Sequence, residues 1–211
     1  KSTTMAAIVD YINNTRAEHI ITIEDPIEFV HKDKLSLVEQ REIGLDARSF
    51  EEGLRHALRQ DPNVIMIGEM RDRETILIAI RAAMTGHLVI STLHTINAVH
   101  TVSRMVKYFS VEEQDSMRNE IATALKAVVS QRLVPTKDGK GRIPCVEVMI
   151  VNDIVRKLIM ENRILDIEQV IRNGVDEMQS FDQSLAHLCR AGNISMETGE
   201  EYSDDIAGYR R

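Results

Sequence analysis

The chain has 211 residues, of which 43% are hydrophobic and 28% are charged, with 26 Lys and Arg against 33 Asp and Glu. The net charge of -7 disfavours a duplex DNA-binding protein, and 4% aromatic residues without Trp disfavour a stacking platform for single strands, so we expect no nucleic-acid partner. The two cysteines match neither a Cys-x-x-Cys metal motif nor a disulfide framework, and no apolar run approaches the roughly 20 residues of a membrane span, so a cytoplasmic protein is expected.

Short apolar runs alternate with helical periodicity over the first two thirds of the chain. This pattern is typical of an α/β domain with a mostly parallel sheet. Compact aliphatic runs predict strands at His19–Ile23, Asn63–Ile67 and His87–Thr92. Apolar stripes predict helices around residues 50–58, 76–84 and 99–109, with the stripes serving core packing.

The pattern changes after Ser110. Apolar spacing predicts one long helix from Glu112 to about Arg132, followed by a β-hairpin over residues 133–150. From Asn152 onward the remaining periodicity is helical. We therefore predict an α/β core over residues 1–150 and a C-terminal helical subdomain over residues 151–211.

Residues that can bind phosphate stand at the start of the chain. Lys1, Ser2 and Thr3 run into an apolar helix, as the last residues of the loop G-x-x-x-x-G-K-[ST] do. In that loop backbone amides and the lysine hold phosphates, and the hydroxyl holds Mg²⁺. Taken alone, the three residues fit an ordinary helix start better. A strand and a glycine loop before Lys1 would favour nucleotide binding, and without that loop we expect only background ATP binding.

Carboxylates follow two of the predicted strands. Glu24, Asp25 and Glu28 come directly after the first strand, where acidic side chains suit a magnesium and water site, although a solvated acidic turn fits equally. Glu69 follows the second strand in the layout of a Walker B segment. The usual aspartate of that segment is replaced by Gly68.

Histidines stand at both ends of the third apolar run. If residues 87–94 form one strand, the odd spacing places His87 and His94 on opposite faces, with α-carbons about 23 Å apart. Both cannot then contact the same phosphate in one subunit. His94, at the carboxyl end, is the candidate phosphate sensor. His87 is expected to serve a subunit boundary or a hydrogen bond inside the fold.

Together and in this order, these segments resemble the secretion ATPase superfamily, in particular its pilus-retraction branch. Residues 61–72 look like the Walker B box of the family, residues 24–31 like its aspartate box and residues 87–94 like its histidine box. Residues 154–161 resemble the retraction motif A-I-R-N-L-I-R-E.

The likeness has departures. Lys157 and Met160 differ from the retraction motif, and Met160 replaces an arginine. The hairpin residues 133–142 are more similar to one retraction paralogue, whereas residues 69–72 are more similar to the other. The choice between the two paralogues therefore stays open.

The resemblance implies a RecA-like core in a homo-hexameric ring, with ATP and Mg²⁺ at the subunit boundaries and a PAS-like domain upstream. It implies an ATPase that retracts a type IV pilus and so drives twitching motility. The expected location is the cytoplasmic side of the inner membrane at the pilus base. The expected partners are an inner-membrane platform protein and a paralogous retraction ATPase.

The resemblance also implies roles for individual residues at the nucleotide. Lys1, Ser2 and Thr3 correspond to residues that bind the phosphates. Ser2, Glu69 and Glu24 correspond to residues at the magnesium site.

Catalytic roles follow in the same way. Glu28 matches the position of the acid that activates the attacking water, with Glu24 and Asp25 as competing candidates. Glu69 would orient magnesium-bound water, and a single water-activating carboxylate is enough for phosphoryl transfer. Arg71 could cross a subunit interface, although a solvated helix start explains it equally.

Two other functions remain open. A pilus extension or type II secretion ATPase of the same superfamily commonly carries a tetracysteine zinc element, which two separated cysteines do not supply. A non-hydrolysing accessory subunit of the ring is disfavoured by the intact acids Glu24, Glu28 and Glu69.

Overall fold

The structure of the protein, a computed structural model, describes residues 1–209. The chain divides into a first unit, Lys1–His94 with Tyr108–Ser110, and a second unit, Thr95–Lys107 with the residues from Val111 onward. This division falls after His94, whereas the sequence places its boundary at residue 150. The assignment of residues 1–150 to an ATPase core stays a prediction, and residues 210 and 211 of the predicted helical subdomain lie outside the described residues.

A parallel sheet of four strands, in the order β2-β1-β3-β4, forms the centre of the first unit. Its strands are β1 (His19–Glu24), β2 (Leu37–Glu42), β3 (Val64–Ile67) and β4 (Leu88–Ser91). All three neighbouring pairs run parallel. The predicted α/β fold class with a mostly parallel sheet is therefore confirmed.

Helices cover both faces of this sheet: α1 (Ser2–Thr15), α2 (Phe50–Ala57) and α3 (Arg73–Met84). Because successive side chains of a strand point to opposite faces, β1 and β3 each contribute to two apolar clusters. One cluster joins α1 to Ile20, Val64 and Met66. The other joins α2 and α3 to the alternate positions Ile21, Ile23, Ile65 and Ile67. Burial of each such aliphatic side chain contributes about 1.5–3 kcal/mol to the stability of the fold. The sheet therefore holds the residues at its carboxyl edge in fixed positions.

The loop between β1 and β2 is anchored to α1 by the fully buried Asn13. The Asn13 side-chain oxygen accepts hydrogen bonds from the backbone N–H groups of Lys34, at 3.1 Å, and Ser36, at 3.3 Å. The Asn13 amide donates to the Lys32 carbonyl at 2.8 Å. Because an unpaired buried amide costs about 1–3 kcal/mol, these bonds tie the end of the loop to the helix.

The second unit combines an antiparallel hairpin with helices. It contains α4 (Ala98–Lys107), α5 (Gln114–Ala124), β5 (Ala127–Pro135), β6 (Arg142–Ile150), α6 (Asp153–Met160), α7 (Ile167–Arg172), α8 (Phe181–Arg190), α9 (Met196–Tyr202) and α10 (Ile206–Tyr209). The predicted hairpin and the predicted C-terminal helices are both present. Within residues 1–209, no helix combines the length and the apolar composition that a membrane crossing requires.

The prediction of one long helix from Glu112 to Arg132 is wrong in its second half. The helix α5 ends at Ala124, and the chain from Ala127 pairs with β6 in the register Ala127↔Ile150 to Pro135↔Arg142. Apolar spacing over this stretch fits a helix as well as a strand. The β-branched residues Val128 and Val129 and the long pairing with β6 favour the strand. The hairpin therefore begins at residue 127 instead of 133.

Candidate functional site

A cleft of about 240 Å³ opens in the first unit at the carboxyl edge of the sheet. It is lined by the start of α1 and by the segments that follow β1, β3 and β4. Most of the predicted site residues line it: Lys1, Ser2, Glu24, Asp25, Glu28, Glu69 and His94. Side chains that are far apart in the sequence meet here because the carboxyl ends of parallel strands share one edge of the sheet.

Ser2 and Glu28 are in direct contact in this cleft. The Ser2 hydroxyl donates a hydrogen bond of 2.6 Å to Oε1 of Glu28. Ser2 is the first residue of α1, whereas Glu28 is exposed in the loop after β1. A group bound by the Ser2 hydroxyl would therefore lie next to the Glu28 carboxylate.

His94 lies between a cation and an anion. Its Nε2 is 3.1 Å from Nζ of Lys1 and 3.4 Å from Oε2 of Glu69. Lysine donates to an unprotonated ring nitrogen, whereas a carboxylate pairs with a protonated one. Because Nδ1 of His94 also lies 3.2 Å from Nζ of Lys1, one neutral ring can accept from Lys1 at Nδ1 and donate from Nε2 to Glu69. A phosphate that draws Lys1 away would break the first of these contacts.

Glu69 is held in its charged form by an ion pair with Arg71. Hydrogen bonding by Arg71 has the largest influence and lowers the pKa of Glu69; the charges of His94 and Lys1 act in the same direction, against desolvation. The Glu69 side chain is 15% exposed, whereas that of Arg71 is 63% exposed and lies outside the cleft lining. The result is a mostly buried negative charge at the edge of the cleft.

Backbone bonds fix the segment that carries Glu69. The Gly68 N–H donates to the Ile23 carbonyl at 2.8 Å, and the Met70 N–H donates to the Thr92 carbonyl at 3.1 Å. The Thr92 hydroxyl donates to the Gly68 carbonyl at 2.7 Å. Glu69 therefore follows a strand end that is tied to both neighbouring strand ends.

Glu24 and Asp25 differ from Glu28 in their surroundings. Glu24 is only 9% exposed, and its Oε1 accepts from the Thr22 hydroxyl at 2.7 Å and from the Gln40 amide at 3.0 Å. Asp25 is exposed, and its charge acts on Arg71. Glu28 is the member of the three that contacts Ser2, and this arrangement favours it for contact with a water molecule.

Thr3 lies outside the site. It is exposed on α1 and does not line the cleft. The reason is helical geometry: with 3.6 residues per turn, neighbouring side chains point about 100° apart, so Ser2 faces the cleft and Thr3 does not.

His87 also lies outside the site, and the premise of one strand over residues 87–94 is wrong. Its Nδ1 is 3.0 Å from the Ala82 carbonyl and 3.3 Å from the Thr85 hydroxyl, which is a local contact at the end of α3. The strand β4 covers only Leu88–Ser91. After Ser91, the Thr92 carbonyl and hydroxyl contact Met70 and Gly68 in the segment that follows β3.

The oxygen donors of the cleft are of the type that Mg²⁺ prefers. Across residues 1–209, no group of three or more His, Cys, Asp or Glu side chains is arranged to enclose a metal ion. Mg²⁺ at nucleotide sites needs only one or two protein ligands and completes its shell with water and phosphate oxygens. The Ser2 hydroxyl and the Glu69 carboxylate, which both line the cleft, fit such an ion, whose chemistry would be to neutralise phosphate charge. Glu24 also lines the cleft, but one of its oxygens already accepts from Thr22 and Gln40.

Two further side chains next to the site come from β2, a strand that the sequence analysis missed. Gln40 and Glu42 hydrogen-bond the loop that carries Glu28. The segment Leu37–Glu42 has only two apolar residues, so it lacks the continuous apolar run that marks the other strands. Apolar and polar residues do not alternate in it either, since one face carries Val38, Gln40 and Glu42, so no local signal marks it as a strand.

The chain is similar to a known protein family and to proteins of two bacteria. A family described as type II/IV secretion system protein matches residues 1–198. The chain is 51% identical over 198 residues to a twitching motility protein of Neisseria gonorrhoeae, covering 93% of this chain and 53% of that protein. It is 48% identical over 202 residues to the type IV pilus retractation ATPase PilT of Pseudomonas aeruginosa, covering 95% of this chain and 58% of that protein.

Among solved structures, the crystal structure of the pilus retraction motor PilT with bound ADP is similar to this chain. The TM-score is 0.89 at 46% sequence identity, and the likeness covers 97% of this chain and 58% of that one. The chain thus spans somewhat more than half the length of the proteins to which it is compared.

Proposed function

The chain belongs to the type II/IV secretion system protein family, and we propose that the protein containing it hydrolyses ATP to retract a type IV pilus. Identities of 51% and 48% to a twitching motility protein and to a pilus retraction ATPase support retraction over the other activities of the family. The observation that carries the proposal is the 2.6 Å contact between Ser2 and Glu28, because it brings a phosphate-binding position to a carboxylate that can act on water.

The chemistry that we propose uses residues of the cleft. Its volume of about 240 Å³ is below the roughly 300–1,000 Å³ of typical ligand pockets, so it suits the phosphate end of a nucleotide. Lys1 would bind phosphate oxygens, and Ser2 and Glu69 would hold Mg²⁺. Once the Ser2 hydroxyl is engaged in this way, the Glu28 carboxylate is released to accept a proton from the attacking water.

His94 would act as the sensor of the terminal phosphate in this mechanism. It contacts Lys1, which would bind the phosphates, and Glu69, which would hold the ion. Loss of the terminal phosphate would return Lys1 to His94. The state of the nucleotide would thereby change the contacts of the segment that follows β4.

The assembly that we propose is a homo-hexameric ring with ATP at the subunit boundaries. The proposed location is the cytoplasmic base of the pilus at the inner membrane, with a platform protein and a paralogous retraction ATPase as partners. The support for this assembly is the family resemblance, and the support for the nucleotide is the ADP bound to PilT.

Single-turnover hydrolysis of ATP by the full-length protein with Mg²⁺ tests the ATPase activity. The control is Lys1→Ala, which should remove nucleotide binding. Hydrolysis by the parent and none by the variant is the expected result. Binding without hydrolysis in the parent would instead indicate an accessory subunit of the ring.

Direction of pilus movement needs a second experiment. Expression in a bacterium that lacks its own retraction ATPase should restore twitching. Hydrolysis without restored twitching would favour the alternative, a pilus extension or type II secretion ATPase.

A further inference from the structure

The loop that carries Glu28 is held on both sides by side chains of β2. Oε2 of Glu42 accepts from the Ile27 N–H at 3.0 Å. Nε2 of Gln40 donates to the Phe29 carbonyl at 2.9 Å, and Oε1 of Gln40 accepts from the His31 N–H at 2.7 Å. Glu28 lies between these anchored residues, in a segment without helix or strand. The backbone of this loop is therefore bonded by side chains of β2, and not by the backbone of a neighbouring strand.

Gln40 uses its whole amide in these contacts. Besides the Phe29 carbonyl, Nε2 donates to Oε1 of Glu24 at 3.0 Å, while Oε1 accepts from His31. A side chain at this position must offer two donors and an acceptor in one plane, which glutamine does. Glutamate lacks the donors, and methionine has a similar length without either function. The contacts thus specify an amide.

The register of β1 and β2 places Gln40 on the face of the sheet that leads to the cleft. Gln40 is paired with Thr22 of β1, and Glu42 is paired with Glu24. These four residues lie on the same face as the apolar contacts of α1, toward the carboxyl end. The apolar face of the sheet therefore becomes polar where α1 begins.

We propose that Gln40 is a positioning residue, which holds Glu28 at the place that ATP hydrolysis requires. This inference rests on the proposed function and on Glu28 as its base. A misplacement of about 1 Å in a reacting group can cost roughly 100-fold in rate. Glu42 holds the residue before Glu28, and Gln40 holds the residue after it and His31. On the carboxyl side of Glu28 the Gln40 amide therefore sets the geometry of the base.

The first test is the kinetics of Gln40→Met in the full-length protein. We expect kcat to fall roughly tenfold or more, while KM and the Kd for ATP stay within about twofold because Lys1 and Ser2 are unchanged. The matched control is Glu39→Gln, at the neighbouring position of β2, where the carboxylate pairs with Arg41. The control should leave kcat unchanged. An unchanged kcat in Gln40→Met would overturn the proposal.

A double variant separates positioning from a general effect on the sheet. If Gln40 acts through Glu28, Gln40→Met should cause no further loss of residual hydrolysis in a Glu28→Gln background. An equal loss in both backgrounds would overturn the proposal, because Gln40 would then act independently of the base.

Hydrogen exchange without nucleotide distinguishes this inference from the proposed function. In Gln40→Met, the His31 amide should exchange roughly tenfold faster than in the parent, because its acceptor is lost. Unchanged exchange of the His31 amide would overturn the proposal that Gln40 holds this loop, and it would leave the proposed ATPase function standing. Absence of ATP hydrolysis in the parent would instead overturn the proposed function, and with it the role of Gln40 in positioning the base, whatever the exchange shows.

Discussion

Glu69 in the first unit and Glu147 in the second are both largely buried, yet their neighbours act on them in opposite directions. Hydrogen bonding by Arg71 lowers the pKa of Glu69, whereas desolvation by burial raises the pKa of Glu147. Oε1 of Glu147 accepts from the Ala98 N–H at the start of α4, at 2.7 Å. The first carboxylate keeps a charge beside a cleft, and the second serves the internal bonding of its unit.

Other polar groups of the second unit, like Glu147, bond or pack inside that unit. The Arg132 guanidinium stacks 3.9 Å from the centre of the Phe181 ring and pairs with Asp204. The thiol of Cys145 is buried in an apolar cluster with Phe181. In this unit polar groups support the packing, whereas at the sheet edge they face the cleft. We therefore expect substitutions at the edge to change chemistry, and substitutions in the second unit to change stability.

The largest effect is expected for Glu28→Gln in the full-length protein. The amide keeps the shape of the side chain and removes the base, so turnover should fall roughly 100-fold or more while ATP binding is retained. Steady-state phosphate release and nucleotide affinity, measured on the same preparation, check this. Asp25→Asn and Glu24→Gln are the comparison variants. Turnover of Glu28→Gln within a few-fold of the parent would transfer the role to one of them.

A smaller effect should separate the two histidines. His94→Ala removes the contact with Lys1 and Glu69, and we expect kcat to fall roughly 10- to 100-fold. His87→Ala removes a local contact with Ala82, which costs about 1 kcal/mol of stability and leaves kcat within a few-fold. Hydrolysis rates and thermal unfolding of both variants check this. Equal, large losses of kcat with assembly intact would indicate that a neighbouring subunit uses His87.

Glu69→Gln should act on the metal dependence of binding. Loss of the charge beside the cleft is expected to move the Mg²⁺ titration of nucleotide binding to several-fold higher concentration. Titration of fluorescent nucleotide binding with Mg²⁺ measures this without catalysis. An unchanged titration would remove Glu69 from the metal site.

The smallest effect is expected at Glu147, and it should appear in stability. Because its pKa is raised in the fold, protonation of Glu147 favours the folded state. That contribution is fully present below the pKa of the unfolded chain and is lost as pH rises through the higher pKa of the fold. Glu147→Gln cannot ionise, so its Tm relative to the parent should rise by about 2–4 °C as pH increases through this window.

Thermal unfolding of both proteins at a series of pH values checks the Glu147 prediction. The amide also alters the bond to Ala98, but that change is the same at every pH. A Tm difference that stays constant across the series would contradict the prediction.

Parts of the fold were predictable where one signal dominated. The strands β1, β3 and β4 are short aliphatic runs, and their carboxyl ends indicated where Glu24, Glu69 and His94 would meet. The strand β2 was missed because its residues are mostly polar, and their role depends on a loop that they contact across the sheet. The start of β5 was missed because its spacing fits a helix until the pairing with β6 is considered.

The candidate site followed the same rule. Positions that directly follow a strand were placed correctly in the cleft, since strand direction fixes where they lie. The contact between Ser2 and Glu28 depends on how α1 packs on the sheet, and no local pattern contains that information. Thr3 was grouped with its neighbours by motif, although helix geometry turns it away.

The helix α1 links the two ends of the site mechanically. Its first turn carries Ser2, and thirteen residues into the chain Asn13 clasps the loop at Lys32, Lys34 and Ser36. A helix of 14 residues is about 21 Å long, so one element joins the phosphate end of the cleft to the part of the loop that leads into β2. If a bound phosphate displaces α1, the displacement should reach this part of the loop, and a spectroscopic label on Lys32 would detect it.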